Sequence, residues 1–214
     1  MNPLIYIVFI AISFVASFTV YFQSGLHAFL RAFPVYLLCT LAVELIAYHL
    51  ASTGRSPMKM YNYFAPLEFL FYMFLLRAVI QNRRVKLFIV ITAGLYLVSV
   101  LINLFIIKEA SPFSAVPYAF GSLLITIYCI YYFYELFQSS RAVNLMRQPI
   151  FWICAGLLFF YCCSFPIFGL VNYLSRTSPI IKKNISVILL LLNVFLYSSF
   201  TIAFLCRIRV RNST

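Results

Sequence analysis

The sequence predicts an all-α integral membrane protein, a bundle of seven transmembrane helices, and two observations support this class. The first is composition. Hydrophobic residues make up 64% of the 214 residues and charged residues only 9%, whereas soluble domains are about half apolar and about a quarter charged. A soluble core of that size cannot enclose so many apolar side chains. The second is that the apolar residues form seven continuous blocks, each near the ~20 residues that cross a bilayer as a helix.

The seven blocks follow one another in what is predicted to be a single membrane domain over residues 1–214. A transmembrane barrel is not expected, because the blocks are continuously apolar and lack the alternation of barrel strands. No loop is long enough to fold on its own, so any chemistry is expected within the helices or at their ends. The predicted spans are about 3–22, 29–50, 60–79, 85–107, 116–137, 150–174 and 185–206.

Taken in order, the first block lacks the basic start of a signal peptide and is followed by further spans, so it is expected to remain as helix one. The weakest break, QSGLH at 23–27, predicts a tight hairpin between helices one and two. Pro34, Pro66 and Pro166 are expected to kink helices two, three and six. Helices three to seven each follow a polar break: STGRSPMK (52–59), QNRRVK (81–86), KEASPFS (108–114), QSSRAVNLMRQP (138–149) and SRTSPIIKKN (175–184).

The basic residues predict how the bundle is oriented in the membrane. Of the 16 Lys and Arg residues, ten fall on the face opposite the N-terminus. Positive residues favour the cytoplasmic side, which places the N-terminus outside and the C-terminus in the cytoplasm. The net charge of +12 is therefore assigned to topology and anionic lipid headgroups, and nucleic acid is not expected as a partner. The short loops are typical of a multi-pass protein of a bacterial inner membrane.

Two acidic residues lie inside apolar blocks, Glu44 in helix two and Glu68 in helix three. A charge at the centre of a bilayer costs a few kcal/mol, so such an acid is expected to face the bundle interior and to have a partner. The helical rise places Glu44 about 9 Å and Glu68 about 12 Å from the outer ends of adjacent antiparallel helices. The two carboxyls are therefore expected to meet at nearly one depth.

A polar pocket around these acids is the predicted site. A tyrosine follows Glu44, Glu68 and Asn193 by four residues, which puts each phenol on the same helix face as its polar partner. A phenol can donate a hydrogen bond to a carboxylate. The alternative interpretation is that the acids only join helices and share a proton. The residues predicted to bind a small ligand or proton are Glu44, Glu68, Asn193, Tyr48, Tyr72, Tyr197 and Asn103.

No catalytic residue, cofactor or metal site is predicted. Motifs for hydrolases, zinc proteases and phosphate-binding loops are absent, as is Asp of any kind. The six cysteines fall inside helices or at their ends without a C-x-x-C spacing, so they are expected to pack as small apolar residues. His27 and His49 are predicted on opposite faces, too far apart to share a metal.

Three functions remain open. By span count the layout is similar to heptahelical receptors and sensors, and to small 3+1+3 sugar transporters. The first function is a sensor or ligand-binding subunit that signals through its basic inner loops and tail to a separate cytoplasmic protein. The second is a proton-coupled transporter, which predicts that helices one to three repeat as five to seven, with EFLFYMF (68–74) against NVFLYSSF (193–200). The third is a lipid-modifying enzyme that uses both carboxylates as acid and base.

Overall fold

The protein is all-helical. The computed structural model describes residues 4–22, 28–107, 115–138, 145–169 and 179–206, and 94% of these residues are helical. This confirms the predicted all-α class. The seven helices are α1 (Leu4–Ser17), α2 (Phe33–Ser52), α3 (Met58–Val79), α4 (Arg83–Ile102), α5 (Ala115–Gln138), α6 (Pro149–Gly169) and α7 (Pro179–Leu205).

Short helical turns extend these helices at four places. Segments of 3-10 helix follow α1 (Phe18–Phe22), precede α2 (Ala28–Ala32) and precede α6 (Leu145–Arg147), and a π-helical turn continues α4 (Asn103–Ile107). Pro34 lies in the first turn of α2, where a proline fits without disrupting the helix, so the predicted kink at this residue is wrong. Pro66 and Pro166 lie inside α3 and α6 as predicted.

Six helices, all except α3, are long and apolar enough to cross a membrane, which suggests a multi-pass membrane protein. Helix α3 has 22 residues, enough for a span by length. Its mean hydropathy is lower because it carries Asn62, Glu68 and Arg77. Polar side chains of this kind are tolerated where a helix is enclosed by other helices.

One face of helix α3 packs against other helices. Phe69 is fully buried, and its ring contacts Tyr96 of α4, Tyr118 of α5 and Tyr161 of α6 at centroid distances of 5.5, 5.1 and 5.2 Å. Tyr72, one turn further along α3, is also fully buried. Aromatic rings at these separations pack favourably edge to face. This face of α3 therefore packs against α4, α5 and α6, whereas the opposite face is exposed, with Leu67 64% and Phe74 46% accessible.

The backbones of α2 and α3 approach each other closely at only a few places, and large aromatic side chains fill the space between them. The ring of Phe71 stacks on Tyr36 with centroids 4.3 Å apart and an angle of 8° between the ring planes. Phe33 meets the same Phe71 ring edge to face at 5.2 Å. Side chains of this size allow polar groups from both helices to meet in the same space.

Helix α1 packs along α7 and thereby closes the bundle. Ser13 donates a hydrogen bond to the carbonyl of Tyr197 at 2.5 Å, and its hydroxyl lies 2.8 Å from that of Thr201. Small polar residues let two helices approach in this way. Beyond this contact, α5 packs along α6 and α6 along α7, so that helices adjacent in sequence are mostly adjacent in space.

The two halves of the chain are packed differently. Helices α6 and α7 contact each other along much of their length, whereas α2 and α3, which would correspond to them in a repeat of three helices, meet at few places. The packing therefore gives no support to the internal repeat that a 3+1+3 transporter predicts. Two further features, the QSGLH hairpin at 23–27 and the predicted end of span six at 174, lie outside the described residues.

Candidate functional site

Glu44 of α2 is held by phenols from two other helices. Tyr6 of α1 donates to Glu44 Oε2 at 2.7 Å, and Tyr61 of α3 donates to the same oxygen at 2.9 Å. The carboxyl is half-buried. Hydrogen bonds from neutral donors to a carboxylate are among the stronger ones in proteins. Glu44 therefore joins α1, α2 and α3 at one point.

Glu68 of α3 is held by a second group of phenols. Tyr36 of α2 donates to Glu68 Oε1 at 3.0 Å, and the hydroxyls of Tyr36 and Tyr72 lie 2.6 Å apart. The hydroxyl of Tyr161 lies near the same carboxyl without a well-formed hydrogen bond to it. Tyr36, Tyr72 and Tyr161 are buried, whereas Glu68 is half-buried and keeps some accessible surface.

Every helix from α2 to α7 places one tyrosine close enough to Glu68 to interact with it electrostatically. Helix α1 contributes Tyr6, which bonds to Glu44 of α2. Such a ring of phenols provides hydrogen-bond donors and aromatic walls on all sides of one acid. We call the following residues the tyrosine–carboxylate cluster: Glu44, Glu68, Tyr6, Tyr36, Tyr61, Tyr72, Tyr96, Tyr118, Tyr161 and Tyr197.

The two carboxyls lie one above the other. Glu44 pairs with Tyr61, seven residues before Glu68 on α3, so the acids are offset by about 10 Å along the helix axes. They are close enough for their charges to interact, but each accepts hydrogen bonds from different tyrosines. The expectation of one common depth is therefore not met, because α2 continues past the level at which α3 begins.

The structure places only some of the residues that were predicted to form the pocket in the cluster. Tyr72 and Tyr197 belong to the cluster. Tyr48 does not, since 38% of it is exposed on α2. Asn193 donates at 2.8 Å to a backbone carbonyl one turn earlier on its own helix. Asn103 lies apart from the cluster centre, at the end of α4 in a cleft between α3, α4 and α5.

This cleft is small and lined by polar and aromatic residues. Its cavity volume is about 10 Å³, room for about one water molecule. Asn103 is only 4% exposed, and its Nδ2 has no hydrogen-bond partner among the described residues. Three of the lining residues, Tyr61, Tyr96 and Tyr118, also belong to the cluster, so the cleft and the cluster adjoin. The side chains that line it include Tyr61, Asn62, Pro66, Tyr96, Asn103 and Tyr118.

Sequence reasoning identified both acids but missed most of their partners. Tyr72 and Tyr197 were found from their spacing along one helix, whereas Tyr6, Tyr36 and Tyr61 bond to the acids from other helices. The one feature of the sequence that could have indicated these partners is that each apolar block carries a tyrosine. That signal is weak in a chain with 16 tyrosines, because the rotation of each helix about its axis is set by packing.

The two acids of the cluster have no basic partner in the described part of the chain. Within the described part of the chain, no Lys, Arg or His pairs with Glu44 or Glu68, and their hydrogen-bond partners are phenols. No group of three His, Cys, Asp or Glu side chains that could hold a metal occurs there either. Carboxyls surrounded by neutral donors are suited to take up a proton or a small cation, since either would complete the charge balance.

Comparison with known proteins gives no family for this chain. No family model, no curated protein and no solved structure matches it. The functional interpretation therefore depends on the geometry of the tyrosine–carboxylate cluster and of the cleft beside it.

Proposed function

We propose that this chain is a heptahelical membrane sensor or ligand-binding subunit with the tyrosine–carboxylate cluster as its intramembrane pocket. All seven helices cross the membrane, α3 included, with the N-terminus outside and the C-terminus in the cytoplasm of a bacterial cell. The basic loops and tail on the inner face pass the signal to a separate cytoplasmic protein. Six apolar helices, and the packing of one face of α3 against α4, α5 and α6, support this arrangement.

One observation carries the proposal: the two acids are held by side chains from all parts of the bundle. Glu44 joins α1, α2 and α3, and Glu68 is surrounded by phenols from α2 to α7. A ligand acts on a protein through the contacts that differ between two states. A change of charge at Glu68 acts on its hydrogen bond from Tyr36 and through Tyr36 on Tyr72. It also acts electrostatically on the phenols of α4 to α7, which couples the pocket to the bundle.

The proposed ligand of the cluster is a proton or a small cation. Phenols donate to a carboxylate but provide no positive charge, and the described residues around both acids include no Lys, Arg or His partner. Taking up a positive charge compensates Glu68, whereas an anionic ligand would be repelled. The competing interpretation is that the acids serve only to hold helices together.

A single native fluorophore reports on the coupling. Trp152 is the only tryptophan of the chain and lies in α6, with its indole N–H donating to the carbonyl of Met146 at 3.1 Å. The same helix carries Tyr161, which faces Glu68. In lipid nanodiscs, we expect the Trp152 emission of the wild-type protein to change reversibly as pH is lowered, because protonation at the cluster shifts α6. Glu68→Gln should abolish this change.

The matched control is Glu135→Gln. Glu135 is an acid outside the cluster, and it accepts hydrogen bonds from the backbone N–H groups of Gln81 and Asn82 just before α4. This variant should keep the wild-type response. A wild-type emission that is independent of pH, or a Glu68→Gln variant that keeps the response while its unfolding temperature falls, would show that the acids only join helices and would overturn the sensor proposal.

A further inference from the structure

Three buried polar atoms in the described part of the chain have no hydrogen-bond partner: Asn103 Nδ2, Tyr161 Oη and Ser164 Oγ. Tyr161 and Ser164 are 0% exposed and Asn103 is 4% exposed. Native proteins rarely leave buried polar groups unpaired, and ordered water is the usual partner where no protein group is available. Each of these atoms is therefore a binding position for water.

The unpaired atoms follow a line through α6 toward the cleft. Tyr161 and Ser164 are three residues apart, so they lie on one face of α6 about 4.5 Å apart along its axis. Phe168 follows one turn later, and its ring contacts Tyr118 at 4.3 Å. Tyr118 lines the cleft that also contains Asn103. Asn103 and Tyr118 therefore lie at the cleft, whereas Ser164 and Tyr161 precede Phe168 along α6, and the Tyr161 ring contacts Tyr72.

The inner end of this line is Glu68. The Tyr161 hydroxyl lies near the Glu68 carboxyl but does not form a well-aligned hydrogen bond with it. A polar pair at such a separation is commonly bridged by one water molecule. Glu68 also keeps accessible surface despite its central position. Glu68 is thus partly accessible and lies beside a hydroxyl that has no protein hydrogen-bond partner.

We propose that Ser164 and Tyr161 form a hydrated path that carries protons between the α3–α4–α5 cleft and Glu68. This inference rests on the proposed function and names the proton as the ligand of the cluster. In the final transfer, an O–H bond of the water beside Tyr161 breaks and a new O–H bond forms at a Glu68 carboxylate oxygen. That water regains a proton from the next water toward the cleft, so no other reactant is needed.

The groups that face Glu68 are consistent with this assignment. Apart from Glu44, they are tyrosines, which hold their own protons tightly and can orient water by donating or accepting hydrogen bonds. Of these, only Tyr161 has a buried hydroxyl without a hydrogen-bond partner in the described part of the chain. The titratable groups that interact with Glu68 are Glu44 and Tyr36 on α2, Tyr72 on α3, Tyr96 on α4, Tyr118 on α5, Tyr161 on α6 and Tyr197 on α7.

The test follows the exchange of the Glu68 proton for deuterium by infrared spectroscopy. The protein in nanodiscs is held at acidic pH, transferred to deuterated buffer, and the shift of the protonated carboxyl band is timed. Glu68→Gln and Glu44→Gln assign the two bands. Removing one hydroxyl in Tyr161→Phe or Ser164→Ala should slow exchange at Glu68 by about tenfold, as expected when one hydrogen bond is lost from the transfer step. The double variant should be slower than either.

The matched control removes two buried hydroxyls that already have protein partners. Tyr128 pairs with Thr92 at 2.7 Å and Ser199 bonds to a carbonyl of its own helix at 2.8 Å. The double variant Tyr128→Phe/Ser199→Ala should exchange at the wild-type rate. Wild-type exchange rates in both Tyr161→Phe and Ser164→Ala, with fluorescence still responding to pH, would overturn the path and leave the sensor proposal intact. Loss of the pH response in wild-type protein would overturn the sensor instead.

Discussion

At the residue scale, the organising interaction is a carboxylate that accepts hydrogen bonds from phenols of other helices. Tyr6 and Tyr61 both donate to Glu44 Oε2, so one oxygen atom links α1 and α3 to α2. Loss of either donor leaves a half-buried carboxyl with one hydrogen bond fewer. The pair of bonds is therefore expected to contribute to stability as well as to hold the acid in a fixed position.

Replacing these phenols tests their contribution. Tyr6→Phe keeps the ring and removes the donor, and should lower the free energy of unfolding by about 1.5 kcal/mol, the lower end for a hydrogen bond to a charged group. In a double-mutant cycle with Glu44→Gln, the two changes should be less than additive because they remove the same interaction. Chemical unfolding in detergent measures both quantities. Tyr63→Phe, on a residue that is 67% exposed, is the control and should be neutral; full additivity would contradict the assignment.

The sequence identified the acids but only part of their surroundings, because spacing along one helix does not show which residues of other helices face it. Spacing along one helix predicts which residues share a face, and this placed Tyr72 and Tyr197 correctly beside the bundle interior. Spacing does not give the rotation of one helix against another. Tyr36 therefore went unrecognised although it bonds to Glu68, and Tyr48 was selected although it is exposed.

At the element scale, close helix contacts depend on residues without a large side chain. Gly156 of α6 faces α7 so closely that an added Cβ would lie 2.9 Å from the Cβ of Ser199. Gly121 of α5 likewise leaves room for the ring of Phe69, which a Cβ would approach to 2.9 Å. These two contacts hold α5 and α7 against the helices that carry Tyr161 and Glu68, and so they help to position the cluster.

Gly156→Ala is therefore expected to lower the free energy of unfolding by about 2 kcal/mol. The new Cβ would meet the Cβ of Ser199, and neither atom can move away without a shift of its helix backbone. Adding Ser199→Gly should recover part of the loss by removing the opposing Cβ. The comparison is Gly94→Ala on α4, where nothing lies within 4 Å of the new methyl group; this change should be neutral or stabilising by up to about 1 kcal/mol. Thermal unfolding in detergent distinguishes the two, and equal effects would contradict the close contact.

Helix positions were predicted well from hydropathy, since all seven blocks contain a helix. The details at helix ends were not. Glu135, near the end of α5, accepts from the backbone N–H groups of Gln81 and Asn82 at 2.8 and 3.0 Å, at the start of α4. An acid at a helix N-terminus is favourable there. Capping of this kind depends on which helix ends are neighbours, and one chain segment does not reveal that.

At the scale of the whole molecule, the central claim is that seven helices enclose two acids and keep them away from lipid. Composition predicted the membrane class, and α3, the least apolar helix, has one face packed against other helices, where Phe69 and Tyr72 lie. The order of helices around the bundle came only from the structure, because contacts such as that between α1 and α7 join residues about 185 positions apart.

The most direct test of this claim is the reaction of each carboxyl with a lipid-soluble carbodiimide in a bilayer, quantified by mass spectrometry. Such a reagent modifies protonated acids that face the acyl chains. In the folded protein at mildly acidic pH, we expect Glu44 and Glu68 to remain unmodified, and to react only after the bundle is unfolded in hot detergent. Rapid modification of Glu68 in the folded protein would place it in contact with lipid and contradict both the enclosed cluster and the function proposed from it.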